Sequence, residues 1–186
     1  TNPYRDADEH PDLDVPGAAA IRRANLAAYL RARAGARILL IGEAMGYRGG
    51  RFSGMAFTSE RQLQAWGRPY VPSSQRPGGW AEPSATIIHG TLTTSGAEDA
   101  VVLWNSVPAH PHRADAPLSN RAPTAVERAA GLPFLDAVLD LVRPTLLVAV
   151  GRVAERSLGD RADACIRHPS QGGASACRAA LLELLG

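Results

Sequence analysis

The chain contains no lysine, so each of its 20 basic side chains is an arginine, and against 18 acids they leave a formal net charge of only +2. So small an excess permits contact with nucleic acid without requiring it, and in a chain this rich in alanine the arginines reflect compositional bias as much as selection for phosphate. Cysteine is almost absent as well. Cys165 and Cys177 are the only two, too few for a disulfide scaffold or for a four-thiolate cluster built within one chain. Reduced thiols, no metal and no cofactor are expected. No apolar run reaches the roughly 18 residues of a membrane span, and the first residues lack the basic-then-apolar pattern of a signal peptide. A cytoplasmic protein without a membrane partner is the resulting expectation.

What is present is enough for a real core: 186 residues, 45% of them hydrophobic, the size of one domain. Residues 1–16 are polar, acidic and without apolar periodicity, and read as an irregular arm. A helix is expected from Ala18 to Ala34, with Ile21, Leu26, Tyr29 and Leu30 on its apolar stripe and Arg22, Arg23, Arg31 and Arg33 largely off it. Ile38–Ile41 reads as a strand buried on both faces. Ser59 can cap a short helix to Trp66, and residues 67–79 form a Pro- and Gly-rich loop of a length often associated with function. Residues 82–94 carry mixed signals, since Thr86, Ile87, Ile88 and Thr91 favour a strand while Pro83 near a first turn favours a helix. The helix is preferred.

Ala100–Trp104 is the second buried strand, ending on Asn105, and a polar loop follows to Ala122. A helix from Thr124 to Val142 is expected to break or kink at Gly131 and Pro133. Thr145–Val150 is the third strand, a short helix runs to Leu158, and Ala164–Arg167 is the fourth strand ahead of a terminal helix over 174–185. Strands alternating with helices predict a three-layer α/β/α fold with a central, mostly parallel four-stranded sheet.

In such sheets ligands bind beyond the carboxyl ends of the strands. Three strands end in polar chemistry: Glu43 after the first, Asn105 after the second, and His168 with Ser170 after the fourth. Together with Phe57 these describe a pocket for a flat, hydrogen-bonding ligand, because an Asn amide pairs with an imide edge while an aromatic ring stacks on the face. Taken singly, each has a plainer reading: Glu43 as a turn cap, Phe57 as core, Asn105 as a turn residue, His168 as a structural histidine. His110 and His112 lack further spaced ligands for a metal.

The ordered set resembles the uracil-DNA glycosylase superfamily. Gly42-Glu43-Ala44-Met45-Gly46 is similar to the first motif of its family 4 enzymes, and Gly54-Met55-Ala56-Phe57 to the segment that supplies a stacking Phe. Asn105 falls at the uracil-reading position. Asn120-Arg121-Ala122-Pro123-Thr124 and the run from Val142 to Arg152 are close to the family 4 pattern, and His168-Pro169-Ser170 matches the second motif of the superfamily. The likeness covers roughly residues 36 to 173.

The resemblance implies excision of uracil or a related deaminated base from DNA by a monomer. His168 would donate to the base O2, Asn105 would read the N3 and O4 edge, Phe57 would stack, and backbone amides near Gly42, Glu43 and Ala44 would hold the base or a water. Glu43 would orient that water, while Arg121, Ser170 and the Gly172 turn would touch the DNA backbone, with Arg48 and Arg51 as further phosphate candidates. Family 4 enzymes also carry an iron-sulfur cluster on four Cys, which this chain lacks. Ala44 and Gly46 stand where family 1 enzymes place a water-activating Asp and a methyl-excluding Tyr, so looser base selection is expected. Two other readings stay open: a uracil- or damage-binding protein with little turnover, and a nucleotide-binding domain. For the latter, the Gly42, Gly46, Gly49 spacing fails the dinucleotide fingerprint and no phosphate-loop Lys exists.

Overall fold

A computed structural model describes residues 1–186. Its helices are α1 (Ala18–Ala32), α2 (Gly50–Ser53), α3 (Glu60–Trp66), α4 (Pro83–Ser95), α5 (Ala125–Val142), α6 (Arg152–Leu158) and α7 (Ala174–Leu185). Its strands are β1 (Ile38–Ala44), β2 (Val101–Val107), β3 (Leu146–Val150) and β4 (Ala164–Ile166). All four are parallel, in the order β2-β1-β3-β4. The chain leaves β1 toward one edge and returns to its other side, so the strand order reverses between β1 and β3, where a crevice opens at the carboxyl ends.

The strands are apolar on both faces because helices cover both. Leu39, Leu40, Ile41, Val101 and Val102 are fully buried, each such side chain stabilising the fold by about 1.5–3 kcal/mol relative to exposure. The second strand runs past its expected end, and Asn105 lies within β2 opposite Gly42 of β1. That register brings the Asn105 side chain to the crevice. Residues 82–94 are helical, as α4, with Pro83 in its first turn. The Thr124–Val142 helix is not broken at Gly131 or Pro133. Pro133 faces solvent, where a missing backbone donor costs least, and a side chain at Gly131 would collide with the Ser106 carbonyl, 2.1 Å from its Cβ position.

The N-terminal segment is more than an arm. Asp14 is buried and accepts hydrogen bonds from Arg22 and Arg51, the latter at 3.1 and 2.7 Å. Arg22 also donates to Ser73 Oγ at 2.8 Å and to the Pro3 carbonyl at 3.0 Å. Arg22 therefore belongs to the buried face of α1, contrary to its expected place off the stripe, because partners from the N-terminal segment and the 67–79 loop satisfy its fork. Arg51 is likewise committed to Asp14, which removes it from the candidate phosphate contacts. The loop over 67–79 is bound inward too: Ser73 and Ser74 amides donate to Glu60 Oε1 at 2.8 Å.

Candidate active site

The carboxyl end of β1 and the turn into α2 line one side of the crevice. A Cβ on Gly42 would lie 2.5 Å from Asn105 Oδ1 and 2.6 Å from the Phe57 ring, so only glycine lets both side chains close over β1. Phe57 reaches that place on a left-handed backbone, φ 47°, a conformation that costs an aromatic residue on the order of 1–3 kcal/mol and persists only where the surroundings enforce it. Ser53 enforces it: its hydroxyl donates to the Thr58 carbonyl at 2.7 Å and accepts from the Met55 amide at 3.1 Å. Phe57 is also part of the buried core, so its ring packs on one side while its strained backbone turns it to line the pocket.

Glu43, Ala44, Phe57, Asn105, His168 and Ser170 line one cavity of about 440 Å³, bordered by Arg121. Gly42 lies beneath the Phe57 ring. Gly172 stands outside, in an exposed turn at φ 76°. Asn105 is 3% exposed, yet its amide makes no hydrogen bond within the protein. Buried polar groups are nearly always paired, so an unpaired amide facing a cavity is free to pair with whatever enters it.

His168 stands on the other side, its ring centroid 5.8 Å from that of Phe57. The Ser170 backbone N–H donates to His168 Nδ1 at 3.1 Å. An amide nitrogen can only donate, so Nδ1 is an acceptor and the neutral ring carries its proton on Nε2. Burial, and secondarily the charge of Arg167, lowers the His168 pKa below the ordinary value. A neutral Nε2–H donor is thus the resting state near pH 7. Glu43 is partly buried and its carboxyl is raised by lost hydration, an effect that Arg156 and Arg128 partly offset. It borders both this cavity and an adjoining groove lined by Arg152 and Arg167.

Arg121 is held in a two-pronged pair with Glu127, both contacts at 2.7 Å, and this pair pulls the Glu127 carboxyl down to about 2. Arg48 lends its Nε to the Tyr47 hydroxyl at 2.8 Å. Neither Cys165 nor Cys177 is bonded; one is exposed on β4 and the other buried in α7. Two separate free cysteines do not fit a four-thiolate cluster. No three His, Cys, Asp or Glu side chains gather where they could hold a metal ion. His110 instead rests its Nε2 on the Ser119 carbonyl at 2.8 Å and on Asn120 Oδ1 at 3.2 Å.

Among the lining residues not picked out from sequence as site residues, Asn120 and Glu82 bear on the site's shape. Asn120 anchors the turn after β1 by accepting from the Tyr47 amide at 3.0 Å. Glu82 precedes Pro83, a position that reads as an ordinary helix cap, but its side chain makes no cap bond.

A family model of the uracil DNA glycosylase superfamily matches residues 31–182. The chain belongs to that superfamily. Its fold is similar to that of wild-type SMUG2 from Pedobacter heparinus, a crystal structure that superposes with a TM-score of 0.69 over 99% of this chain and 85% of that one. Sequence identity between the two is 17%, so the likeness speaks to the fold alone. No curated protein matches the chain. Both Gly42–Gly46 and His168–Ser170 lie within the matched residues.

Proposed function

We propose that this superfamily member is a DNA repair glycosylase that hydrolyses the N-glycosidic bond of uracil or a related deaminated base in DNA and leaves an abasic site. The observation that carries the reading is the unpaired amide of buried Asn105, lining one cavity with the strained Phe57 ring and the neutral His168 donor. An Asn amide offers one donor and one acceptor, the complement of a uracil O4 and N3–H edge. With the base flipped against Phe57, His168 Nε2–H is a donor for O2.

When the bond between the sugar and the base breaks, its electron pair leaves with the base and the sugar becomes oxocarbenium-like. Charge then grows on the base oxygen, where a fixed donor lowers the barrier most. Water adds to the sugar carbon and its proton neutralises the departed base anion, while Glu43, in its carboxylate form, would orient that water. DNA is the expected partner, engaged through Arg121, Ser170 and the Gly172 turn, by a chain that acts as a monomer in the cytoplasm. No helix is long and apolar enough to cross a membrane.

Single-turnover release of uracil, hypoxanthine and xanthine from defined oligonucleotides tests the reading. Loss of one well-placed donor costs about 100- to 1000-fold in rate, so His168→Ala and Asn105→Ala should each slow release by that factor at unchanged thermal stability. Wild-type rates in both variants would overturn the site assignment. Ala44, which lines the cavity without an acid of its own, favours a second reading, a uracil-binding protein with little turnover. Tight, uracil-dependent DNA binding without base release would select it.

A further inference from the structure

The cavity is also lined by a residue from a different part of the chain. Glu82 lies just ahead of α4 and packs its carboxyl over the turn after β1. A Cβ on Gly46 would lie 2.8 Å from Glu82 Oε1, and one on Gly49 only 2.1 Å from Oε2. The sequence leaves Gly46 as an opening in the pocket wall; the structure fills that opening with Glu82. Neither carboxyl oxygen has a hydrogen-bond partner, and the residue borders both the main cavity and a neighbouring one. An unpaired acid held in the space that a side chain at residue 46 would occupy is costly to keep unless it meets a ligand.

Resting on the glycosylase reading, we propose that Glu82 is the specificity gate of the base pocket: its carboxyl takes the space over Gly46 and Gly49, excludes a base carrying an apolar substituent there, such as the methyl group of thymine, and admits uracil. One methyl group more or less in a pocket is worth about 10- to 200-fold in discrimination. Glu82→Ala opens the space and should raise the thymine-to-uracil excision ratio within that range. Glu82→Gln keeps the volume and should keep the low ratio.

The gate also carries a titration that a passive filler would not. Burial pushes the Glu82 carboxyl up to about 7. The titratable or charged groups sharing its cavities are Glu43 on β1, Tyr47 and Arg48 in the following turn, Arg121 ahead of α5, and His168 after β4. Below pH 7 the carboxyl is neutral and can donate. Above it, an anion faces the charge growing on the departing base. Excision should therefore fall as pH rises through about 7 in the wild type, and Glu82→Gln should erase that inflection.

The test is single-turnover excision of uracil and thymine opposite guanine by wild type, Glu82→Ala and Glu82→Gln between pH 5.5 and 8.5, with thermal melts as the folding control. Glu82→Asp, which withdraws the carboxyl by one methylene, replaces the Ala variant if that one does not fold, and should relax the ratio in the same direction. A thymine-to-uracil ratio unchanged within about twofold in the folded variant, or a pH inflection that survives in Glu82→Gln, overturns the gate. If the wild type releases no base at all, the glycosylase reading fails separately. The gate is then read from the relative affinities of the same variants for uracil- and thymine-containing single strands, where an unchanged ratio again refutes it.

Discussion

Replacing Asp14 with Asn tests how the N-terminal segment supports the pocket. Asp14 is the sole acid paired with Arg22 and Arg51, whose side chains are 0% and 2% exposed. Arg22 is already pulled down to about 10, first by burial and then by the nearby charge of Arg51, so the two cations tolerate each other only through the carboxylate between them. Breaking a buried pair by removing one partner costs about 3–5 kcal/mol, because a charge is left uncompensated. Two stranded guanidiniums place Asp14→Asn at the upper end, out of a total stability of about 5–15 kcal/mol for a domain. For a chain of this length that corresponds to a fall in Tm of about 6–20 °C. Urea unfolding followed by tryptophan fluorescence measures it directly, and the apolar triple replacement Asp14→Leu, Arg22→Met, Arg51→Met should recover most of the loss. A loss below about 1 kcal/mol at unchanged m-value would show that the triad is not what anchors residues 1–16. Arg51 lies six residues before Phe57, so uracil release by Asp14→Asn should also drop at temperatures where the variant is folded.

Gly42→Ala would drive a methyl group into the Phe57 ring and Asn105 Oδ1, both within 2.6 Å; uracil release should fall by at least about 100-fold, as for the loss of a donor, and a near-native rate would show that neither side chain needs its present position. Arg121→Ala should weaken DNA binding across sequences and flatten the salt dependence by about one unit of slope. An unchanged slope in fluorescence anisotropy titrations would mean that Arg121 stays with Glu127 in the complex.

The parts of this molecule that were legible in its sequence share one property: each is announced within a few residues. Runs such as Leu39-Leu40-Ile41 and Val101-Val102-Leu103 mark buried parallel strands by themselves, and the polar residue that ends or follows each run is brought to the crevice by the topology. Glu43, Asn105 and His168 could therefore be placed before any coordinate was known. The misjudged elements depend on distant partners. Arg22 reads as a solvent-facing helix residue until Asp14 and Ser73 are seen to satisfy it, 8 and 51 positions away. Arg51 in a Gly-rich turn looks like a phosphate ligand for the same reason. Both β1 and β2 run past their apolar cores, to Ala44 and Val107, beyond what their sequences mark, because Gly42, Glu43, Asn105 and Ser106 do not look like strand residues, although Ser106 is held there by its hydroxyl donating to the Gly42 carbonyl at 3.1 Å.

The glycines of the first motif join these two kinds of information. A Gly-rich turn in a sequence is usually read for its mobility or for the ligand it cradles. Here Gly42, Gly46 and Gly49 serve instead as sockets: the first admits Asn105 and Phe57, the other two admit the carboxyl of Glu82. The motif thus fixes where side chains from β2, from the turn before α3 and from the start of α4 converge, without contributing a side chain at those three positions. A pocket built this way can change its selectivity through Glu82 while the strand, the turn and the two motifs stay as they are. Substitutions at position 82 should therefore alter which base is accepted far more than they alter the fold, whereas substitutions at Gly42 should damage recognition of every base alike.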